Sequence, residues 1–247
     1  LLRRFLIHTP FQSLSVLLRG GGPSLMEAKE AVLVGRGGLC FTTNIFIKHL
    51  LDRLGFHTQF AACHLHGMHT HYTVLIRGLD GEASLDCVDP GCGHIMPRAM
   101  TLPPVGGPPT RYVHRHLTVE WGWRRERGRN ILTRQHSKAD AGATRAVRDL
   151  FWDMTLEPVS TKAAGESLRL QLQTYCRLRV AIARGPNAVL RGYRGGAVID
   201  SADQGLRRVA LHSRAAMIES LAAEPELAAH FDRAAIARAL DRLPKPA

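Results

Sequence analysis

The sequence predicts an α+β protein in three parts: a helical front over residues 1–56, an antiparallel β middle over 57–139, and an α/β C-terminal part over 140–247. Three observations predict it. Ile47, Leu50, Leu51 and Leu54 repeat at helical spacing, and Gly55 stops the run. The chain then turns to short runs rich in Thr, Val, Phe and Tyr at His57–Cys63, Thr70–Arg77 and Ala83–Val88. Near the end, Ser213 and Asp232 stand where they would cap helices over Arg214–Ala223 and Arg233–Leu243.

Each element has its own signal. Ser24 caps a helix through Met26, Ala28 and Val32, with Glu27 in its first turn. Gly35-Arg36-Gly37-Gly38 is a loop, and the next helix starts near Cys40. Leu79-Asp80-Gly81 marks a hairpin between two strand-like runs. Five prolines and two glycines from Pro97 to Pro109 mark a long loop. Strand-like runs follow at Tyr112–Trp121 and Asn130–Thr133, with a basic loop, Arg124–Arg129, between them. Helical signals return from Asp140, mixed with short strands near Arg177–Ala183 and Ala188–Leu190, and Gly192–Gly196 reads as a turn. Phe231 and Ile236 are spaced for a hydrophobic staple, and Pro244 ends the last helix.

Composition bounds the function. With 247 residues, 45% of them hydrophobic, the chain can bury a real core. No apolar run approaches the ~18 residues of a membrane span, so no membrane role is expected. Lys and Arg number 33 against 21 Asp and Glu, a net +12, and residues 111–150 hold ten basic and four acidic side chains. Such a surface meets nucleic acid, a cofactor phosphate or an acidic partner, or is simply solvated. The Arg124–Arg129 run lacks the interleaved pattern of an RNA-binding sheet, so no nucleic-acid partner is expected; Trp121 and Trp123 read as packing residues. Five cysteines, Cys40, Cys63, Cys87, Cys92 and Cys176, form no Cys-x-x-Cys pair and fit a reduced, cytoplasmic setting. The opening on Leu1 reads as a truncation. Arg3, Arg4, His8 and Pro10 interrupt any signal-peptide core in Leu1–Leu18. The glycine-rich Arg19–Pro23 segment lacks the ending of a phosphate loop.

Cys40 is the candidate nucleophile. It follows Arg36-Gly37-Gly38-Leu39 at the start of a helix, where backbone N–H groups and the helix dipole favour a thiolate. A buried structural cysteine is the competing reading. A thiol nucleophile needs a base and the base an orienting group. His71 opens one strand-like run and Asp89 closes the next, across the Asp80-Gly81 turn, so Cys40, His71 and Asp89 form a workable triad. His64, His66, His69 and His71 also cluster, but no zinc spacing completes them, and no metal is expected.

These residues resemble a known family. Arg36-Gly37-Gly38-Leu39-Cys40, followed by Phe41 and Asn44, resembles the Arg-Gly-Gly-x-Cys-x-Glu-x-Asn motif of the arylamine N-acetyltransferases. The Thr70-His71 run resembles that family's histidine motif, and Val88–Gly93 its Asp-Val-Gly-Phe-Gly motif. Thr9–Leu14 resembles its Pro-Phe-Glu-Asn-Leu segment, and Leu156–Val159 with the final helices resembles its third domain. The resemblance covers nearly the whole chain in order.

The resemblance implies a cysteine-protease-like core, with a helical bundle, a β-barrel-like middle and an α/β lid. It implies ping-pong acyl transfer, with Cys40 as nucleophile, His71 as base and Asp89 as orienter. An acyl group, acetyl in the first reading, passes from coenzyme A to a small-molecule amine through a Cys40 thioester. Coenzyme A enters as a donor substrate rather than a resident cofactor. An amide synthase, taking a polyketide or peptide chain from an acyl carrier protein, and a catalytically weakened binding protein are the alternatives. The motif glutamate is Thr42 here, Pro-Phe-Glu-Asn is Pro10-Phe11-Gln12-Ser13, and the glycine-motif phenylalanine is Cys92. Phe11, Thr42 and Cys92 are therefore the expected substrate-pocket residues, with Cys92 leaving room for a larger group.

Overall fold

The computed structural model describes residues 1–65, 68–79, 81–92, 98–114, 117–126, 128–138, 147–156, 159–160, 180–184, 189–194, 197–202 and 205–243. The front is helical: α1 (Leu2–His8), α2 (Leu14–Arg19), α3 (Leu25–Leu33) and α4 (Cys40–Arg53), with a two-residue strand β1 (Phe11–Gln12) after α1. Ser24 and Glu27 start α3 with a reciprocal capping box. Just past the end of α4, Gly55 has a φ of +87°, the left-handed turn expected there.

Eight strands follow: β2 (His57–Leu65), β3 (Met68–Arg77), β4 (Leu85–Val88), β5 (Met100–Thr101), β6 (Thr110–His114), β7 (Leu117–Glu126), β8 (Arg129–Lys138) and β9 (Val147–Thr155). They form one antiparallel sheet in the order β5-β4-β3-β2-β9-β8-β7-β6. β9 carries the sheet beyond residue 139 by pairing with both β2 and β8. The sheet curls until its end strands meet. Thr110 Oγ1 and Tyr112 Oη donate to the Thr101 carbonyl at 3.2 and 3.0 Å. Among the described residues no backbone ladder joins β5 to β6.

The tail supplies β10 (Val180–Arg184), β11 (Val189–Arg194), β12 (Ala197–Ala202) and β13 (Gly205–Ala210), then α5 (Arg214–Ala222), α6 (Pro225–Ala228) and α7 (Arg233–Asp241). Its antiparallel sheet, ordered β1-β10-β11-β12-β13, takes β1 from the front of the chain. The Ser213 and Asp232 side chains cap α5 and α7, accepting from the N–H groups of Ala216 and Ala235. Phe231 and Ile236 lie buried in one cluster with Leu14, Leu17 and Ile182, as a staple requires.

Two further clusters flank the large sheet. On one face Phe41, Ile45, Ile47 and Leu51 of α4 pack on Phe60, Tyr72, Val74 and Ile76. Inside the curl Cys63, Leu75, Cys87, Met100, Trp121, Leu132 and Met154 pack together. The α+β class therefore stands, and among the described residues no helix is long and apolar enough to cross a membrane.

Several local expectations fail. The strands expected near Arg177–Ala183 and Ala188–Leu190 are present where described, as β10 and β11, but the helical signals expected around them are not: β9, β12 and β13 are strands too, and the described helices of the tail begin only at Arg214. Ala, Arg and Leu in Ala197–Ala202 and Gly205–Ala210 are good helix formers, but cross-strand pairing overrides that preference. Gly192-Tyr193-Arg194 is strand, paired with Ile199, Val198 and Ala197, and not a turn. The Arg124–Arg129 run is not a loop. Arg124, Arg125 and Glu126 end β7, Arg129 begins β8, and Gly128 turns the hairpin with a φ of +77°. The single run expected over Tyr112–Trp121 is two paired strands, β6 and β7. Arg177–Arg179, Ala188, Gly195, Gly196 and Pro244 lie outside the described residues.

Candidate active site

The Gly35–Gly38 loop that leads into Cys40 is held by the segment before α2. Gly37 has a φ of +67°, and a Cβ there would lie 1.9 Å from the Pro10 carbonyl oxygen. Only glycine allows that conformation and that approach. Gly38 N–H donates to the Pro10 carbonyl and Gln12 N–H to the Gly38 carbonyl, both at 3.1 Å. The buried Gln12 side chain donates to Ser15 Oγ at 2.7 Å and to the Arg36 carbonyl at 3.2 Å. The chain so guided enters α4 with Cys40 as its first residue. The first N–H groups of a helix lack intrahelical acceptors, so Cys40 sits among outward-facing donors. Its residue is 7% exposed, so the thiol lies at the floor of the site.

β3 and β4 bring the other two groups. The strands pair antiparallel, Val74 opposite Val88, which puts His71 and Asp89 at the same end. His71 Nε2 and Asp89 Oδ2 are 2.7 Å apart, both side chains buried. Cys40 lies close enough to His71 to favour its charged form. The turn Pro90–Cys92 then presses against the helix tip: a Cβ on Gly91 would lie 2.5 Å from Cys40 Cα. The structure thus brings together all three residues expected to form the triad.

Asn44 and Arg134 complete the cluster. Asn44, one turn after Cys40 on α4, donates from Nδ2 to Asp89 Oδ1 at 3.0 Å and to the Tyr72 carbonyl; its Oδ1 accepts from Gly91 N–H at 3.0 Å. Arg134 of β8 is fully buried, donates from Nη1 to Asp89 Oδ2, and stands 5.1 Å over the Trp121 ring. Asn44 was legible as a motif residue without a role. Arg134 was missed, although it shares strand parity with buried Leu132, and a charge at an inward position is a signal.

The electrostatics follow from this packing. Burial disfavours the His71 imidazolium, but Asp89 and Cys40 outweigh it and raise its pKa to about 9. Burial likewise opposes the Asp89 carboxylate, yet His71 and Arg134 hold it well below the usual carboxylate range. Cys87, buried beside Thr73, is pushed up to about 12, and burial raises the Cys63 thiol as well. Those two are inert packing thiols. Cys40, Cys63, Cys87 and Cys92 are not disulfide-bonded, and Cys176 lies outside the described residues.

The expected pocket residues separate. Cys92 ends the Pro90–Cys92 turn, half-buried against the inner cluster. Phe11 pairs with Ala181 and bridges Gly38. Buried Thr42 lies beneath the loop, its hydroxyl 2.4 Å from where a Gly38 Cβ would be. Thr42 also lines a cavity of about 370 Å³ behind the loop, with Arg19, Glu27, Arg36 and Phe231. Among the described residues no group of three His, Cys, Asp or Glu side chains could hold a metal ion. His66 lies outside them.

Residues 1–76 match the N-acetyltransferase family model. Solved arylamine N-acetyltransferases superpose over almost the whole chain. The Mycobacterium abscessus enzyme covers 97% of this chain and 85% of its own, with a TM-score of 0.77 and 14% identity. The chain has the arylamine N-acetyltransferase fold. The Mycobacterium marinum enzyme in complex with CoA covers 98% of this chain and 92% of its own, at a TM-score of 0.73 and 17% identity. The Salmonella typhimurium enzyme covers 98% and 89%, at 0.71 and 16%. No curated protein sequence matches the chain. The family resemblance read in the motifs is borne out by the model match over residues 1–76 and by the shared fold.

Proposed function

We propose that the protein transfers an acetyl group from coenzyme A to an arylamine through a thioester on Cys40. The observation that carries this reading is the contact chain from the Cys40 thiol through His71 to Asp89, at the tip of α4. The family match, and a structural neighbour solved in complex with CoA, support coenzyme A as the donor. They lend no support to a carrier protein.

The geometry supports the following steps. His71 takes the Cys40 proton, and Asp89 stabilises the imidazolium formed. The thiolate attacks the thioester carbonyl, with Cys40 N–H at the helix tip as an available oxyanion donor. Collapse expels the coenzyme A thiolate, which takes the His71 proton, and leaves acetyl-Cys40. The amine then attacks the acetyl carbon while neutral His71 accepts its proton. Collapse yields the amide and restores the thiolate–imidazolium pair. Cys92, in the turn that packs on Cys40, is the pocket residue placed to shape the acceptor side. Phe11 and Thr42 act on the pocket through the loop they brace.

Intact-mass analysis after mixing with acetyl-coenzyme A tests the reading. The wild type gains one acetyl group and Cys40→Ala gains none, while its turnover falls at least about a thousandfold. A wild type that stays unmodified and gives no product burst is a binding protein, and the reading fails.

A further inference from the structure

The acyl-transfer cycle poses a problem of charge. His71 must be an imidazolium beside the thiolate, yet neutral when the amine arrives. In the acetylated state Cys40 carries no charge, so Asp89 is the anion left facing His71. Asp89 is 1% exposed, and the buried thiols Cys63 and Cys87 lie close enough to feel its charge. A bare carboxylate there would hold the His71 proton strongly, because losing it would strand a buried anion. Arg134 is placed against that outcome. It reaches Asp89 from β8 and donates to Oδ2, the oxygen that also meets Nε2 of His71. Trp121, its cross-strand partner, lies under the guanidinium at 5.1 Å and fixes its plane.

We propose that Arg134 is a positioning residue that neutralises the buried Asp89 carboxylate, so that His71 can release its proton during the amine half-reaction. The proposal rests on the acyl-transfer reading above. The groups facing His71 are Cys40 from α4, Asp89 after β4 and Cys63 opposite it on β2; Arg134 and Cys87 lie beside Asp89, and Cys87 and Cys92 beside Arg134. With Arg134 present, the Asp89–Arg134 pair is neutral whether His71 is charged or not. Without it, the carboxylate has His71⁺ as its nearest cation, and the imidazolium is over-stabilised.

The test is the pH profile of Cys40 alkylation by iodoacetamide, which needs no acyl donor. Its alkaline limb reports loss of the His71 proton beside the thiolate. Arg134→Met moves that limb up by about one pH unit or more, the size of a nearby charge. Arg134→Lys, which keeps the charge, restores most of the shift. In single turnovers of the acetyl-enzyme, Arg134→Met slows amine attack at pH 7 about tenfold or more, with partial recovery at higher pH. If Arg134→Met does not fold, Arg134→Gln, which keeps a donor without the charge, carries the same measurement. A neutral variant whose profile overlays the wild type overturns the proposal, as does Arg134→Lys behaving like Arg134→Met. A wild type that is never acetylated overturns the acyl-transfer reading instead and leaves the alkylation measurement standing.

Discussion

Gly91→Ala measures how closely the Asp89 turn and the nucleophile helix must approach. A Cβ at position 91 would lie 2.5 Å from Cys40 Cα, 2.6 Å from Thr43 Oγ1 and 2.9 Å from Cys40 Cβ. Carbon atoms pack comfortably at about 3.5 Å or more, so the turn and helix must separate by roughly 1 Å. The nearest obstacle is helix backbone and cannot rotate away. Overpacking of this kind costs about 2 kcal/mol, a fall in Tm of roughly 4–8 °C for a chain this long. Because Asp89 and Cys40 sit on the two bodies pushed apart, the shift also lengthens the contacts of His71 to one of them. A misplacement of about 1 Å at reacting groups can cost on the order of a hundredfold in rate. Stopped-flow acylation with acetyl-coenzyme A, together with a thermal melt, reads both effects. Wild-type acylation combined with a lowered Tm would refute the argument, because the approach would then matter for packing and not for chemistry.

Two other outcomes follow from the same cluster. Asn44→Ala removes two donors and one acceptor from buried partners, Asp89, Tyr72 and Gly91; thermal and denaturant melts should show a loss of about 2–4 kcal/mol, and Asn44→Asp, which puts a second anion beside Asp89, should be no better. The His71–Asp89 pair should also make stability pH-dependent. The His71 pKa is raised to about 9, above its unfolded value near 6.5, so its contribution is full below about pH 6.5 and lost as pH rises through 9. The Asp89 pKa is depressed, so its contribution is present above the unfolded value near 3.8 and is lost as pH falls below it. Denaturant melts between pH 4 and 10 should peak at about pH 4–6.5 on account of these two groups, and His71→Gln should flatten the alkaline fall.

How much of this the sequence disclosed depended on how local each signal was. Cys40 was legible because a Gly-Gly turn and a helix start are written in adjacent residues. His71 and Asp89 were legible because two short alternating runs joined by Asp-Gly can hardly avoid pairing. Asn44 could be named but not given a task, since its partners Tyr72, Asp89 and Gly91 lie on β3, after β4 and in the Pro90–Cys92 turn, far along the chain. Arg134 was missed for a related reason. The strand-like run around it reads as ending at Thr133, and its meaning depends on Asp89 and Trp121 being brought beneath it. The tail misled because Ala, Arg and Leu favour helix in isolation, whereas the order β1-β10-β11-β12-β13 is set by pairing. Nothing local announces that Phe11 and Gln12 form the edge of that sheet.

That edge links the tail to the chemistry. β1 pairs with β10 on one side, while Gln12 N–H and the Pro10 carbonyl hold the Gly37-Gly38 loop on the other. The loop sets where α4 begins, and α4 begins with Cys40. Cys40 is thus placed by two independent contacts: through the loop to the C-terminal sheet, and through Gly91 and Asn44 to the sheet that carries His71 and Asp89. Thr42 sits between them, beneath Gly38 and beside the cavity that separates the loop from Phe231. Thr42 packs so closely beneath Gly38 that no side chain fits at position 38, which is why the loop needs glycine where it crosses α4. The three residues of the triad are therefore only as well placed as the two sheets are, which is why much of the chain away from the thiol serves to hold it.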